Sequence, residues 1–303
     1  MATQSRVATL PFLLKGGVDS QWTVFGTRNF VTLHAAGLFV DFRLIQLKGV
    51  DGLNPVLKTI HNRTSLRRYK DTPISDEHLK TVLEATLRAP TAGNMMLYSV
   101  LTIKDQAMKE KLSKTCDNQP FIARAPLLLV FLADYQRWFD YYRMSDVAQL
   151  REPDVGDLFL AMDDAIVAAQ TAVLAAESLG MGTCYIGDIM ENYETHRELL
   201  QLPDYVFPAA MLTLGYYPDD YSPKFRDRFA EEYIVHSEKY RNLSDEDLQK
   251  MFVGLEEGFS PNNKFGAKNM GQFMYARKTG SEFGREMSRS IRAALQNWQG
   301  REL

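Results

Sequence analysis

The sequence predicts an α+β protein, because helical and strand-like segments alternate from residue 54 onward. Ser75 is a suitable helix N-cap, since its hydroxyl can accept a hydrogen bond from a free backbone N–H of the first turn. The residues that follow keep the spacing of one buried helical face: Leu79, Val82, Leu83, Thr86 and Leu87. Residues 127–133 form a continuous apolar run instead, which is typical of a strand covered on both faces.

The same patterns predict strands at residues 97–104, 183–187 and 208–215, and helices at residues 106–114, 194–202, 243–255 and 282–298. The longest predicted helix runs over residues 157–179 and ends at Gly180. Apolar residues encircle most of it, so it must be buried on nearly all sides. One sheet covers only one side, which favours a second subunit on the other. A central helix within a larger monomer is the alternative.

Composition narrows the class of protein. The chain has 303 residues, 45% of them hydrophobic, and a net charge of −3, which argues against a general nucleic-acid-binding surface. Cys116 and Cys184 provide no disulfide framework and fit a reducing cytoplasm. No apolar run reaches membrane-spanning length, so we expect a soluble, cytoplasmic protein without a membrane partner.

Residues 1–52 differ from the rest of the sequence. Their apolar residues follow no sustained period, and neither a helix start nor a hairpin signal is clear. We expect a poorly ordered N-terminal extension, or a segment that precedes the native start. A leucine or valine codon at Leu53 or Val50 would serve as that start, and N-terminal sequencing of the native protein tests this expectation.

Four clusters of basic or polar residues carry the candidate binding chemistry. Arginine is a planar cation that matches phosphate, so Arg63, Ser65 and Arg67 could grip a small anion at two points with a hydroxyl between them. The second cluster is residues 90–94, PTAGN. The third is residues 180–188, GMGTCYIGD, where glycines let the backbone approach a ligand. The fourth, residues 215–226, begins GYYP and ends with KFR. Each cluster alone is equally typical of a helix end, a loop or a turn.

Several other kinds of site lack their sequence signals. The sequence contains no G-x-G-x-x-G, Walker A, H-E-x-x-H or G-x-S-x-G motif. Its five histidines are scattered without the spacing of metal ligands, which argues against a metal site. The neighbouring carboxylates Asp163 and Asp164 point in different directions on a helix, so we do not expect a catalytic pair.

In this order and spacing, the clusters resemble the nitroreductase family of flavin-dependent oxidoreductases. The resemblance covers roughly residues 54–235 and rests on RTSLRRY, APTAGN, QPFIARAPLLLVF, AAQTAVLAAESLGMGTCYIG, and LGYYP followed by KFR. It departs at Met96-Leu97, where the family often has glutamine-proline, and at Gly187-Asp188, which replace a small residue and glycine.

The resemblance implies the nitroreductase-like fold, a mixed and mainly antiparallel sheet flanked by helices, in an intertwined homodimer. Residues 53–235 would be the FMN-binding domain. Residues 236–303 would be a helical arm on the core or on the partner subunit.

The resemblance also implies roles for individual residues. Arg63, Thr64 and Ser65 would hold the phosphate and ribityl end of FMN, joined by Lys224 and Arg226. A cation at Arg67 would favour the negative charge of reduced flavin at the N1/O2 edge of the ring. The remaining contacts would come from Thr91, Asn94, Gln119, Tyr185 and the backbone of Ile186, Gly187 and Asp188.

The implied activity is hydride transfer from NADH or NADPH, through the flavin, to an electron-poor acceptor such as a nitroaromatic or a quinone, with ping-pong kinetics. The flavin carries the chemistry, so no side chain need act as nucleophile or acid. Two alternatives stay open. One is reductive dehalogenation or flavin reduction on the same fold, and the other is a non-enzymatic flavin-binding or sensing protein.

Overall fold

The computed structural model describes residues 52–301 and, before them, the backbone of three strands. The chain divides into two compact units, residues 1–61 and residues 62–303. The first contains an antiparallel sheet of β1 (Thr23–Thr27), β2 (Phe30–Ala35) and β3 (Leu38–Arg43), and most of α1 (Pro55–Asn62). The sequence shows no clear hairpin signal in residues 1–52, so these three strands were not predicted. The rest of that segment lies outside the described residues, and its place in the native protein stays a prediction.

The second unit is built around a four-stranded sheet. Its strands are β4 (Tyr98–Ile103), β5 (Leu127–Asp134), β6 (Met181–Ile186) and β7 (Val206–Tyr216). They lie in the order β4-β5-β7-β6, and all three pairings are antiparallel. The predicted strands all exist, shifted by no more than two residues at either end.

The described part of the second unit also contains nine α-helices. They are α2 (Asp76–Thr86), α3 (Gln106–Thr115), α4 (Pro120–Arg124), α5 (Gln136–Met144), α6 (Val155–Ser178), α7 (Tyr193–Leu200), α8 (Asp245–Glu257), α9 (Met270–Met274) and α10 (Glu282–Leu295). The predicted N-cap of α2 is confirmed, because the Ser75 hydroxyl accepts from His78 N at 3.1 Å. The sequence predicted α2, α3, α6, α7, α8 and α10, and missed α4, α5 and α9.

Strand β5 is covered on both faces, as its apolar run predicts. Leu129 and Phe131 pack with α2 and α6 on one face of the sheet. Leu128 and Val130 pack with α3 and α4 on the other. All four side chains are fully buried. The second unit is therefore a sheet between two helical layers.

Helix α6 contacts the sheet with small side chains and exposes several large apolar side chains to solvent. Ala165, Ala168, Ala169 and Ala172 are fully buried, which allows a close approach to the sheet. The large exposed apolar side chains of α6 are Phe159, Leu160, Ile166 and Val167. An apolar stripe of this size on a surface helix indicates an interaction surface.

By length and composition alone, α6 could cross a membrane, so the expectation that no segment reaches that length is wrong. The central helix of a soluble protein passes the same test. Here the helix packs its alanine face on the sheet and carries buried carboxylates at Asp157 and Asp164. This packing is that of a core helix.

Asp164 fastens the loop that connects α2 to β4. Its carboxylate accepts from Ala92 N at 2.8 Å and from Leu97 N at 3.0 Å. Between them, Asn94 and Met96 have φ values of 58° and 52°, in the left-handed region. That region is unfavourable for Met, so the loop needs outside support of this kind.

The outer edge of β4 is covered where the strand begins. Arg137 on α5 donates to Met96 O at 2.7 Å and to Tyr98 O at 2.8 Å. The neighbouring indole of Trp138 donates to Met95 O at 2.7 Å. Helix α5 therefore satisfies carbonyl groups that an edge strand would otherwise expose.

The C-terminal segment has two parts with different packing. Helix α10 lies on the core: Trp298, just beyond it, is buried, and the Ser290 hydroxyl donates to Met190 O at 2.7 Å. Helix α8 contains no buried residue and exposes Leu248, Phe252 and Val253. Helix α10 thus packs on the core, while α8 leaves apolar side chains exposed, with Phe252 partly covered by Phe229. Whether residues 236–303 form an arm on a partner subunit stays a prediction.

Replacing Asp164 by Asn should lower the free energy of unfolding by about 2 kcal/mol. The Asn amide has only one oxygen, so it can accept from either Ala92 N or Leu97 N. Its NH₂ group would face the other backbone N–H, which would then lack an acceptor. The matched control is Asp163→Asn, since Asp163 is the exposed neighbour on the same helix and should change stability by less than about 0.5 kcal/mol. Urea unfolding followed by circular dichroism measures both. Equal losses in the two variants would contradict the role assigned to Asp164.

Candidate functional site

The segment of residues 63–70 lies along the edge of the sheet formed by β6. Ser65 forms a parallel bridge with Thr183, and Leu66 N donates to Thr183 O at 2.8 Å. Leu66 is fully buried, whereas Ser65 and Arg67 on either side of it are exposed. The alternation along an extended chain therefore anchors the segment by one side chain and presents its two neighbours to solvent.

Two glycines make this approach possible. A Cβ atom on Gly182 would lie 2.6 Å from Leu66 Cδ2, and one on Gly215 would lie 2.6 Å from Tyr69 Cδ1. Both distances are well below van der Waals contact. The sequence predicts that glycines of the third cluster let a ligand approach the backbone. At Gly182, however, the group that approaches is the side chain of Leu66 in the first cluster. Gly187 is exposed, and only Met190 Cε lies within 4 Å of its Cβ position, at 3.9 Å.

Arg63 has an unused donor beside the C-terminal end of α6. Its Nε atom is buried and has no hydrogen-bond partner among the described residues. The nearby Glu177 carboxylate accepts from Tyr217 Oη at 2.7 Å and from Thr183 Oγ1 at 3.3 Å. Burial raises the pKa of Glu177, while the Tyr217 hydrogen bond and the positive charge of Arg63 oppose that rise. A buried guanidinium donor without an acceptor suits an anionic ligand.

Arg67 lies on the other side of Ser65. Its Cζ atom is 5.7 Å from the centre of the Phe121 ring, a cation–π arrangement. Burial raises the pKa of the Cys184 thiol, and the charge of Arg67 opposes this rise. Arg67 is therefore near both α4 and β6, and its guanidinium remains exposed.

Gln119 and Tyr185 flank this arrangement. Gln119 Nε2 donates to Cys116 O at 3.0 Å, so its amide nitrogen already stabilises the turn before α4. Tyr185 is 38% exposed, and burial of the rest of the side chain raises the pKa of its phenol to about 12. Ile186 is buried in the core, so its side chain is not available to a ligand, and a contact through its backbone stays a prediction.

The turn after β6 carries the remaining residues of the third cluster. Residues 187–190 form a 3-10 helix in which Gly187 is exposed and Asp188 is half-buried. The structure thus brings the first and third clusters together at one edge of the sheet.

The fourth cluster is tied to the same place. Thr64 Oγ1 and Tyr221 Oη lie 2.5 Å apart, which commits the Thr64 hydroxyl to this loop. Lys70 pairs with Asp219 at 2.8 Å. Lys224 and Arg226 follow within five residues of Tyr221, are exposed, and form no ion pair with any described residue.

The second cluster lies elsewhere in the same chain. Its loop is held by Asp164, 13 residues before Glu177 on α6, which is about 20 Å along a helix axis. The Thr91 hydroxyl accepts from Met96 N at 3.2 Å, and Asn94 has the positive φ described above. Thr91 and Asn94 are therefore not next to Arg63 within one subunit.

Three residues that organise the site are not marked by the sequence patterns: Glu177, Tyr217 and Asp164. Glu177 and Tyr217 lie inside motifs that carry the family resemblance, and Asp164 adjoins an exposed carboxylate, which hides its role. A buried carboxylate is informative only when its partners are known. Nothing in the sequence reveals that Glu177 meets Tyr217, because they are 40 residues apart and meet only through the sheet.

The model for the nitroreductase family matches residues 60–216. This chain belongs to the nitroreductase family. Family membership covers the first three clusters and the start of the fourth, while Lys224 and Arg226 lie beyond the matched residues.

Individual relatives within the nitroreductase family agree with this placement. The FMN reductase [NAD(P)H] of Bacillus subtilis is 34% identical over 245 residues, which cover 79% of this chain and 90% of the relative. The oxygen-insensitive NADPH nitroreductase of Salmonella typhimurium is 31% identical over 68% of this chain and 82% of its own length. The solved structure of B. megaterium NfrA2 superposes with a TM-score of 0.71 at 30% identity, covering 82% of this chain and 99% of that one.

The carboxyl of Glu191, directly after the 187–190 turn, should make stability depend on pH. Burial, together with the negative charges of Asp188, Asp117 and Glu286, raises its pKa to about 7. Because this pKa lies above the ordinary value, the folded state retains the proton. The stabilisation is complete below the unfolded pKa of about 4.3 and is lost as pH rises through about 7.

We therefore expect the melting temperature to fall between pH 5.5 and pH 8, and Glu191→Gln to flatten that fall. Thermal unfolding over this pH range measures the effect. The control is Glu198→Gln, which removes an exposed carboxylate on α7 and should leave the pH dependence unchanged. A Glu191→Gln curve parallel to that of the unsubstituted protein would show that this carboxyl does not titrate as described.

Proposed function

We propose that this protein is an FMN-dependent oxidoreductase that takes electrons from NADH or NADPH and delivers them to an electron-poor acceptor. Its relatives include proteins named FMN reductase and NADPH nitroreductase. Within the chain, the observation that carries the proposal is the buried, unpartnered Nε of Arg63, beside the exposed Ser65 and Arg67.

These residues fit the phosphate end of FMN. Arg63 offers a donor that has no acceptor in the protein, and Ser65 offers a hydroxyl next to it. Lys224 and Arg226 are cations in a loop tied to the same segment through Thr64 and Tyr221. Charge-assisted hydrogen bonds from several fixed cations are the usual means of holding a phosphate dianion.

Glu177 and Arg67 contribute to the same proposed site. The Glu177 carboxyl lies near Arg63, and its bonds to Tyr217 and Thr183 fix its position. The cation of Arg67, over Phe121, would stabilise the negative charge gained on flavin reduction. Bound FMN supplies the two-electron chemistry, and the protein supplies position and electric field.

We infer that the functional unit is a homodimer with composite sites. The 91–94 loop is held about 20 Å along α6 from the helix end near Arg63, so we infer that the Arg63 cluster of one subunit and the 91–94 loop of the other contact the same flavin. The exposed apolar stripe of α6, Phe159 to Val167, offers a surface for the second subunit. The apolar face of α8 would cover further surface of that subunit.

A second candidate function is flavin reduction, in which FMN is released as the product instead of being retained. It is favoured by the 34% identity to a protein named FMN reductase [NAD(P)H]. The two functions differ in whether the flavin stays bound while a nitroaromatic or a quinone is turned over. Ping-pong kinetics with FMN that stays bound would support the oxidoreductase that retains its flavin.

The decisive experiment is an FMN titration of purified protein, followed by anaerobic addition of NADH or NADPH. We expect a yellow protein whose colour bleaches with at least one nicotinamide and returns with a quinone or a nitroaromatic. Arg63→Gln should weaken FMN binding at least about tenfold, since it removes a charge-assisted donor. The control Arg88→Gln removes an exposed cation at the end of α2 and should change nothing.

Each outcome of this experiment has a distinct meaning. A protein that takes up no FMN would refute the proposal outright. A protein that binds FMN but does not bleach with either nicotinamide would favour a binding or sensing role.

The dimer should depend on the α6 stripe. Phe159→Glu places a charge at the most exposed apolar position of that stripe, 65% exposed in the single chain. Burying an unpaired carboxylate in an interface is costly, so we expect dissociation to monomers and at least about tenfold weaker FMN binding. Analytical ultracentrifugation measures the first effect. Ser178→Glu, at the exposed end of the same helix, is the charge control, and dissociation of both variants alike would argue against this surface.

A further inference from the structure

A second cavity, lined by none of the residues predicted to bind FMN, has a wall of basic side chains. Its volume is about 740 Å³, within the range of small-molecule sites. It lies where residues 68–74 meet the junction between β4 and α3 and the junction between α4 and β5. Its charged lining residues are Arg68, Lys70, Asp71, Lys104, Lys109 and Arg124. Five of these six are cations.

Lys109 is the buried member of this group. It is only 7% exposed, and its Nζ atom donates to Ala125 O at 2.8 Å. An ammonium has three donors, and no described carboxylate forms an ion pair with this one. Burial lowers the pKa of Lys109. An anion in the cavity would offset the cost of burying this charge.

The cations nearer the surface also have capacity for a further partner. Arg124 forms no ion pair with any described residue. Three others pair with aspartates at the rim: Arg68 with Asp220 at 3.0 Å, Lys70 with Asp219 at 2.8 Å and Lys104 with Asp76 at 3.2 Å. Those aspartate side chains are 73–96% exposed, and such surface pairs contribute little.

The arrangement matches phosphate better than a single carboxylate. Two guanidinium groups and three ammonium groups line it, and they come from three separate segments of the chain. A multiply charged tetrahedral group can accept from several such donors at once. We propose that this cavity binds a small anion that carries phosphate groups, at a site distinct from the one that holds the flavin phosphate.

The cavity is adjacent to the predicted flavin site, since Arg67 and Arg68 are consecutive and Phe121 and Arg124 lie on the same helix, α4. Tyr69 Oη lies 3.1 Å from Leu66 O and 2.6 Å from Thr213 Oγ1, so the Tyr69 side chain holds residues 66–69 against β7. Arg67 contacts Phe121 and does not line the cavity, whereas Arg68 lines it. Occupation of the cavity therefore does not require Arg63, Ser65 or Arg67.

The test is isothermal titration calorimetry of the full-length protein with inorganic pyrophosphate, in excess FMN and at constant ionic strength set with chloride. We expect one saturable site per chain. Lys109→Met and Arg124→Gln should each weaken binding at least about tenfold. Arg124 is exposed, so its replacement keeps the test valid even if Lys109→Met fails to fold. The matched control is Lys111→Gln, an exposed cation of the same helix that does not line the cavity.

Three results would overturn the proposal. The first is no saturable heat beyond the chloride control. The second is binding that survives Arg124→Gln but disappears in Arg63→Gln, since pyrophosphate would then occupy the flavin phosphate site. The third is citrate binding as tightly as pyrophosphate, which would reject phosphate as the recognised group. Retention of pyrophosphate binding in Arg63→Gln supports the proposal whether or not the protein proves to be an FMN enzyme.

Discussion

The close contact between residues 65–70 and the sheet is the constraint on which the candidate site depends. It exists because Gly182 and Gly215 carry no side chain where Leu66 and Tyr69 lie against the strands. The backbone bond from Leu66 to Thr183 then fixes the register of the segment. That register decides which side chains point outward. Arg63, Ser65 and Arg67 therefore lie together because side chains at positions 182 and 215 do not block the segment.

Helix α6 connects this edge to the second predicted cluster. Near its C-terminal end Glu177 lies by Arg63, and near its N-terminal half Asp164 holds the 91–97 loop. A straight helix keeps these two ends at a constant separation. The two clusters therefore lie at a fixed separation on one rigid element, which is the observation behind the proposed composite site.

The elements that the sequence predicts well are those with strong local signals. Ser75 caps α2, the apolar run 127–133 becomes β5, and the long apolar pattern becomes α6. Helix α4 is too short to show a period, and α5 begins directly after β5 without a side-chain cap. Its place is set by Arg137 and Trp138, whose partners on the 95–98 backbone are about 40 residues away and leave no local mark.

The candidate site likewise has features that local sequence patterns predict and features that depend on long-range contacts. Basic and hydroxyl residues at short spacing pointed to an anion site, and the first and third clusters do meet at the β6 edge. The separation of Thr91 and Asn94 from them follows from the length of α6, which the sequence reveals only as a helix. The roles of Glu177 and Asp164 depend on contacts across the sheet, and a single sequence does not show them.

The cover that α5 places on β4 has a consequence for self-association. An open edge strand is a template to which another extended chain can add, and uncontrolled addition leads to aggregation. Arg137 occupies the outward carbonyls of Met96 and Tyr98, so the first part of this edge offers no acceptors to a foreign strand. Two copies of this protein therefore cannot pair their sheets through these two carbonyl groups. Contact between copies is left to the helical surfaces, such as the exposed apolar side chains of α6.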